Sequence, residues 1–351
     1  MKKQTLLLAA LSGLSVSLPG HAEEAFSGLT LGSMYHLKLE QTDNGLYDLP
    51  PLSEAKDSLN TGFDFVRLIA KGKLSDKTSL FTRYNFSNAK LERFYLTHKL
   101  TDNVSVLAGL QKARIFGWHR RISSGLLATE SRYVSSSFRP FSNTMMVQLE
   151  ATYDLGKFTV QVVEDYDNCN VTCDSWNSLD ETGQVRKTQP GLLTEWIGNY
   201  GAFQPLVQYG LYDLGKNYTA TVGLRYKANG VDVHADYAVD ERKLRDESKR
   251  KLVGTTVHAT YSLGNFTPYV HLSNFELETS SGSVVKTGVN TELGKLDREG
   301  QTVALGAYYE GIGTFARPYL SVSMKSGDFE VGGEEKTLTT TSLTAGLVGI
   351  M

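Results

Sequence analysis

The feature that most limits how this chain can fold is a succession of segments in which apolar and polar residues strictly take turns. The clearest pair spans 217–228 and 231–240, joined at Asn229-Gly230, the dipeptide most suited to a two-residue hairpin. That turn sets the register. Ala228, Tyr226, Leu224 and Val222 face Val231, Val233, Ala235 and Tyr237 on one side, while Lys227 meets Asp232 and Arg225 meets His234 on the other. A slip of one residue would exchange the two faces. Segments 252–263 and 266–278, joined at Gly264-Asn265, repeat the scheme and set His258 opposite His271, with His234 one strand away. Segments 145–155 and 158–166 are expected to meet at Gly156-Lys157, and 302–310 pairs with 314–326. The early segments 29–40, 63–73, 79–86, 91–100 and 104–109 alternate too, as does the closing 338–351, and 191–199 and 203–212 do so less cleanly.

Alternation with period two describes a strand whose faces meet different surroundings. About 16 such segments can be counted, an even number and one associated with an aqueous channel. Their connections fall into two classes that take turns along the chain. One is short, at Lys77, Asn103, Gly156, Gly201, Asn229, Gly264 and Gly313; the other is mostly long, at 41–59, 110–144, 167–190, 241–251, 280–298 and 327–336. Short turns at one end and long loops at the other describe a transmembrane antiparallel β-barrel. A soluble sandwich would also alternate, but no Pro/Gly/Ser linker divides the chain into domains of ordinary size.

The first residues read as an export leader. Lys2 and Lys3 precede the apolar stretch 6–14, and Gly20-His21-Ala22 forms a small-x-small cleavage site. The expected division is thus a signal peptide at 1–22 and one barrel domain at 23–351. No later run of about 18 apolar residues would make a helical span, whereas barrel strands of about 10 alternating residues escape such a search. The leader holds two lysines and no acid, so the formal charge changes from −2 for the whole chain to −4 without it. A slightly acidic chain lacks the basic face that nucleic-acid binding needs. Cys169 and Cys173, in the polar connection NCNVTC, are expected to form a local disulfide in an oxidising compartment.

The stretch 109–144 interrupts the strands. It carries Lys112, Arg114, Arg120, Arg121, Arg132 and Arg139 against a single acid, Glu130, and a connection this long is usually functional. It is expected to fold inward and narrow the lumen, which Arg67, Lys71, Arg83, Arg93 and Lys99 of the early strands also line. Rings of Arg and Lys suit anion pores. Glu150, Asp165, Asp232, Asp236 and Asp240 should point inward as well, giving a transverse field; a general diffusion pore therefore stands ahead of a strongly anion-selective one. The facing histidines fit a solvated polar wall better than a metal site, since no carboxylate or Cys is placed beside them by the same register. Neither a Gly-x-Ser-x-Gly elbow nor an ordered Ser–His–Asp set stands out, so no catalysis and no cofactor are expected.

Gly109-Leu110-Gln111-Lys112, then Glu130-Ser131-Arg132, then Asn143 through Val147-Gln148-Leu149 and the Gly156 hairpin resemble the phosphate-selective porin O and P family. The resemblance implies a trimeric 16-stranded outer-membrane channel that passes anions along lumen Arg and Lys, with Lys112, Glu130 and Arg132 as motif positions. The family has Pro soon after the Lys, where this chain has Ala113 and Arg114, and its last residue is commonly aromatic, where this chain has Met351. The expected function is passive diffusion of small hydrophilic solutes and ions across the outer membrane. The alternative is a non-conducting outer-membrane barrel with an adhesive or structural role. Lipid and solutes are the expected partners, with a homotrimer by resemblance.

Overall fold

In the computed structural model, residues 30–45, 58–87, 89–115, 117–122, 144–163, 190–212, 217–243, 249–279, 285–286, 292–293, 298–311, 316–331 and 334–350 are described. The expected leader, the expected disulfide Cys169–Cys173, and Glu130, Arg132, Arg139 and Asp165 lie outside these residues.

The strands are β1 (Thr30–Gly45), β2 (Ser58–Lys73), β3 (Thr78–Asn85), β4 (Lys90–Lys99), β5 (Val104–Gln111), β6 (Thr144–Tyr153), β7 (Gly156–Val163), β8 (Gly191–Gly198) and β9 (Phe203–Tyr212). They continue as β10 (Asn217–Ala228), β11 (Val231–Lys243), β12 (Lys249–Tyr261), β13 (Phe266–Thr279), β14 (Val285–Lys286), β15 (Glu292–Leu293), β16 (Arg298–Tyr309), β17 (Arg317–Val331) and β18 (Glu334–Ile350). One short helix, α1 (Gly117–Ile122), follows β5. Sixteen strands form a closed antiparallel barrel in which each pairs with its chain neighbours. Only β14 and β15 stand apart, as a two-stranded sheet between β13 and β16. Closure is made by β1 against β18, from Met34↔Ile350 to Gly45↔Thr339. No sheet edge is left, so the barrel backbone can satisfy itself within a bilayer.

The two faces are the reverse of those of a water-soluble protein. Outward positions carry exposed apolar side chains, among them Val147, Leu149, Val207, Leu224, Leu305 and Leu320. Inward positions carry buried polar ones, among them Gln148, Gln161, Glu195, Gln208, Thr302 and Ser321. An apolar surface this continuous is favourable only against hydrocarbon. Among the described residues no helix is long and apolar enough to cross a membrane.

The hairpin registers agree with the alternation. β10 and β11 pair Ala228 with Val231, Leu224 with Ala235 and Arg225 with His234, around Asn229 and Gly230 at φ of 52° and 78°. Both values are positive, as the mirror-image turn requires. β11, β12 and β13 align His234, His258 and His271 side by side.

Three local expectations are corrected. The β6–β7 turn is Asp154-Leu155, because Tyr153 pairs with Gly156 and Gly156 belongs to the strand. Gly156 sits at φ 147°, and a Cβ there would run into the Ile197 carbonyl, so this glycine serves a close strand approach and not a turn. Next, the connections 41–59, 241–251 and 327–336 are partly ladder, since β1 and β2, β11 and β12, and β17 and β18 pair beyond the alternating region. Antiparallel pairing needs backbone partners and not an apolar face, so polar arms continue past the membrane band. Finally, the β3–β4 register shifts between Arg83 and Tyr84, where Arg83 pairs with Arg93 and Tyr84 with Leu91. Glu92 is the extra residue of this bulge, and it is buried on the inner side together with Arg83.

Candidate functional site

The chain leaves β5 at Gln111 and runs along the inside of the wall to the end of α1. Polar groups on six consecutive strands receive it. Arg114 donates through its backbone N–H to Gln161 Oε1 (3.0 Å) on β7, through Nη2 to Glu150 Oε2 (2.9 Å) on β6, and through Nη1 to Glu195 Oε1 (3.1 Å) on β8. Arg121 Nη1 donates to both carboxylate oxygens of Glu195 at 2.8 Å. Gln208 of β9 also donates to Glu195 Oε2 (2.7 Å), so this carboxylate, 2% exposed, is gripped from three sides. Lys157 makes an ion pair with Glu150.

No acidic residue stands in the first turn of α1, so the helix brings no carboxylate of its own for its free N–H groups. The wall supplies the missing acceptors. Gly117 N donates to Gln208 Oε1 (2.8 Å), Trp118 N to Asp236 Oδ1 (2.8 Å) and His119 N to Asp236 Oδ2 (2.7 Å). Asp236 acts as the cap of a helix about 118 positions away in sequence. Trp118 Nε1 donates to the Gln204 carbonyl (3.1 Å) on β9, and the Arg225 guanidinium of β10 lies 5.4 Å from the Trp118 ring centroid. Gly117 has φ 73°, and a Cβ there would meet the Asp236 carboxylate. Gly117→Ala should therefore cost α1 about 1–3 kcal/mol of its seating. Tryptic cleavage at the arginines of this segment should accelerate by roughly tenfold or more; an unchanged rate would contradict the cap.

Behind α1 lie four imidazoles from four elements. His119 is 4.8 Å from His271, 5.8 Å from His234 and 6.4 Å from His258, measured between ring centroids. His258 is 5.3 Å from His234 and 5.7 Å from His271. All four are at most 2% exposed. Burial, then the imidazoles of His271, His234 and His258, hold His119 well below the ordinary imidazole range. Among the described residues, no group of three or more His, Cys, Asp or Glu is arranged to hold a metal ion.

A second cluster lies on β2, β3 and β4. Arg67 Nε and Arg83 Nε stand 2.8 and 2.7 Å from Glu92 Oε2, and Asn85 Nδ2 donates to Glu92 Oε1 (2.9 Å). Arg93 stands opposite Arg83 with a buried Nε that has no hydrogen-bond partner. Two guanidiniums therefore share one carboxylate, with a third beside them.

Of the residues singled out in the sequence, Arg67, Arg83 and Arg93 are brought together, and Arg114 and Arg121 are brought to the wall. Lys112 is half-buried at the start of the segment. The backbone of Arg120 belongs to α1, while its side chain and the residues 123–143 are outside the described set. Arg114 and Arg121 are ion-paired to Glu150 and Glu195, because a guanidinium turned to the wall gains charge-assisted hydrogen bonds there. Asp232 likewise pairs with Arg225, and Asp236 caps α1. Sequence reasoning missed Glu92, Glu195, Gln208 and His119. A carboxylate at an outward parity, as period two assigns to Glu92, was itself a signal of a register break, since a charge facing lipid is expensive.

A closed 16-stranded antiparallel barrel, apolar outside and polar inside, with a segment laid along its inner wall, has the fold of an outer-membrane porin. Comparison with solved structures reaches the same fold. A loop L8 deletion mutant of OmpT, an outer membrane protein of Vibrio cholerae, is 12% identical with a TM-score of 0.60, over 93% of this chain and 100% of that one. The outer membrane channel DcaP of Acinetobacter baumannii is 13% identical with a TM-score of 0.59, over 91% and 96%. The anion-selective porin from Comamonas acidovorans is 10% identical with a TM-score of 0.57, over 92% and 99%. No protein-family model matches the chain, and no curated protein does.

Proposed function

We propose that this chain is an outer-membrane porin, exported by the leader 1–22, that lets small hydrophilic solutes and ions diffuse passively through a polar lumen without catalysis. The observation that carries the reading is the inverted barrel: lipid-compatible side chains outside, hydrogen-bonding and charged ones inside, and no edge left to pair. Solutes keep their hydration against such a wall. The segment from Lys112 through α1 sets the cutoff. A preference for anions follows from the cluster of Arg67, Arg83 and Arg93 around Glu92, three positive groups to one negative. The description of one similar barrel as an anion-selective porin supports this sign. A similar structure recorded as a trimer form supports a homotrimer.

Refolded protein added to a planar bilayer should give stable ohmic steps, and a salt gradient should give a reversal potential on the anion side. Silence at high protein load would reject the channel and favour a barrel whose loops bind a partner. A cation-side potential would reject the assigned selectivity alone.

A further inference from the structure

The four-histidine cluster has no place in a diffusion pore, yet it joins a ring of α1 to three rings of the wall. His119 is carried by the inward segment, and His234, His258 and His271 are successive neighbours across β11, β12 and β13. His258, the member adjoining the other three, has both ring nitrogens buried without a hydrogen-bond partner, as is His234 Nε2. Such a packing is favourable only while the rings are uncharged.

One carboxylate, Asp232, acts on His234 and His258, but it is shared with Arg225 and Lys227. From the inward segment come Lys112 and Arg121, and from β10 come Arg225 and Lys227, all positive. Among the acids, Asp232 of β11 is held by Arg225, Asp236 of β11 by the amides of α1, and Glu195 of β8 by Arg121 and Arg114. Asp240 of β11 is likewise engaged. Tyr269 of β13 stacks on His258 and Tyr308 of β16 on Tyr269, adding bulk and no charge near neutral pH.

We propose that the seat of α1 is an acid-labile latch: four uncharged imidazoles hold the inward segment to β11–β13 near neutral pH, and their protonation drives α1 off the wall. Like charges some 5–6 Å apart and shut away from water repel strongly, and the barrel ladder cannot move to separate them, so α1 is the element that yields. The sign follows from linkage. A base that folding keeps neutral contributes its full share above its ordinary pKa of about 6.5, and that share is lost as pH falls below this value. Each proton changes the ratio of docked to undocked α1 by up to about tenfold per pH unit, and coupled sites steepen the transition. Asp236 also caps α1 through its amides, so the test has to isolate the histidines.

The latch rests on the placement of the segment in the lumen, and the test does not depend on conduction. Full-length protein carrying Trp176→Phe and Trp196→Phe, with Trp118 as its remaining tryptophan, is folded in detergent micelles. Acrylamide quenching of Trp118 should rise about threefold or more between about pH 7.5 and about pH 4.5, the range in which imidazoles titrate. Heat-modifiable gel mobility should meanwhile show the barrel intact. His258→Phe keeps a ring and removes the central titrating group, and should flatten the rise. His119→Phe, which leaves every barrel strand unaltered, should flatten it too if the first variant fails to fold. Flat quenching in the parent protein, or an equal rise in His119→Phe, overturns the latch. A Trp118 response in protein that is silent in bilayers supports the latch and sinks the channel instead.

Discussion

Replacing Glu195 by glutamine is expected to free the inward segment and to move the reversal potential further toward anions. The carboxylate is 2% exposed and accepts from Arg121, Arg114 and Gln208. Removing one partner of such a buried ion pair costs about 3–5 kcal/mol, because the guanidiniums stay behind without compensation. That corresponds to roughly a hundredfold or more in the docked population. Two effects should then appear together. Trypsin should reach the arginines of the segment far faster, and the channel should become noisier and more anion-preferring as Arg114 and Arg121 turn from the wall to the lumen. Glu195→Gln protein with parental trypsin resistance and parental reversal potential would mean that the segment is held by something else.

The complementary change is Arg83→Ala with Arg93→Ala. It leaves Arg67 alone with Glu92, a balanced pair in place of three cations to one acid. At about 8 Å in water a unit charge is worth about 0.5 kcal/mol to a passing ion before salt screening. Losing two should therefore change the anion-to-cation permeability ratio by about two- to fivefold, with the reversal potential moving toward cations. The effect should shrink at high salt, where screening is stronger. Unaltered selectivity at low salt would remove this cluster from the permeation path and leave the barrel without an assigned anion contact.

Much of the architecture was legible because it is local. Turn chemistry at Asn229-Gly230 and Gly264-Asn265 acts over two residues, and alternation then assigns every side chain of a hairpin to a face. This is why the pairs Arg225↔His234 and His258↔His271 could be written down from the sequence and recur in the structure. The rule failed where one residue broke the period. Glu92 needed a bulge, announced only by a charge at an outward position, and Gly156 was read as a turn residue although its positive φ serves the neighbouring β8.

The candidate site was legible as composition and not as geometry. A surplus of arginines in 109–144 is visible in the sequence; whether each meets solute or wall is not. Arg121 finds Glu195 74 positions away, and Trp118 finds Asp236 118 positions away. Such pairings depend on how a connection returns across the bore, and short-range periodicity carries no information on that path.

By itself, then, the sequence determined the strands, the registers of the hairpins at Asn229-Gly230 and Gly264-Asn265, and the sorting of polar from apolar faces, because each is imposed by contacts a few residues apart. Only the tertiary structure decided that β1 closes on β18, that Arg114 and Arg121 anchor the inward segment, and that His119 joins three imidazoles from the wall. Closing the cylinder brings residues from distant strands around one interior, where charge pairing and burial select among arrangements that the local pattern leaves equal.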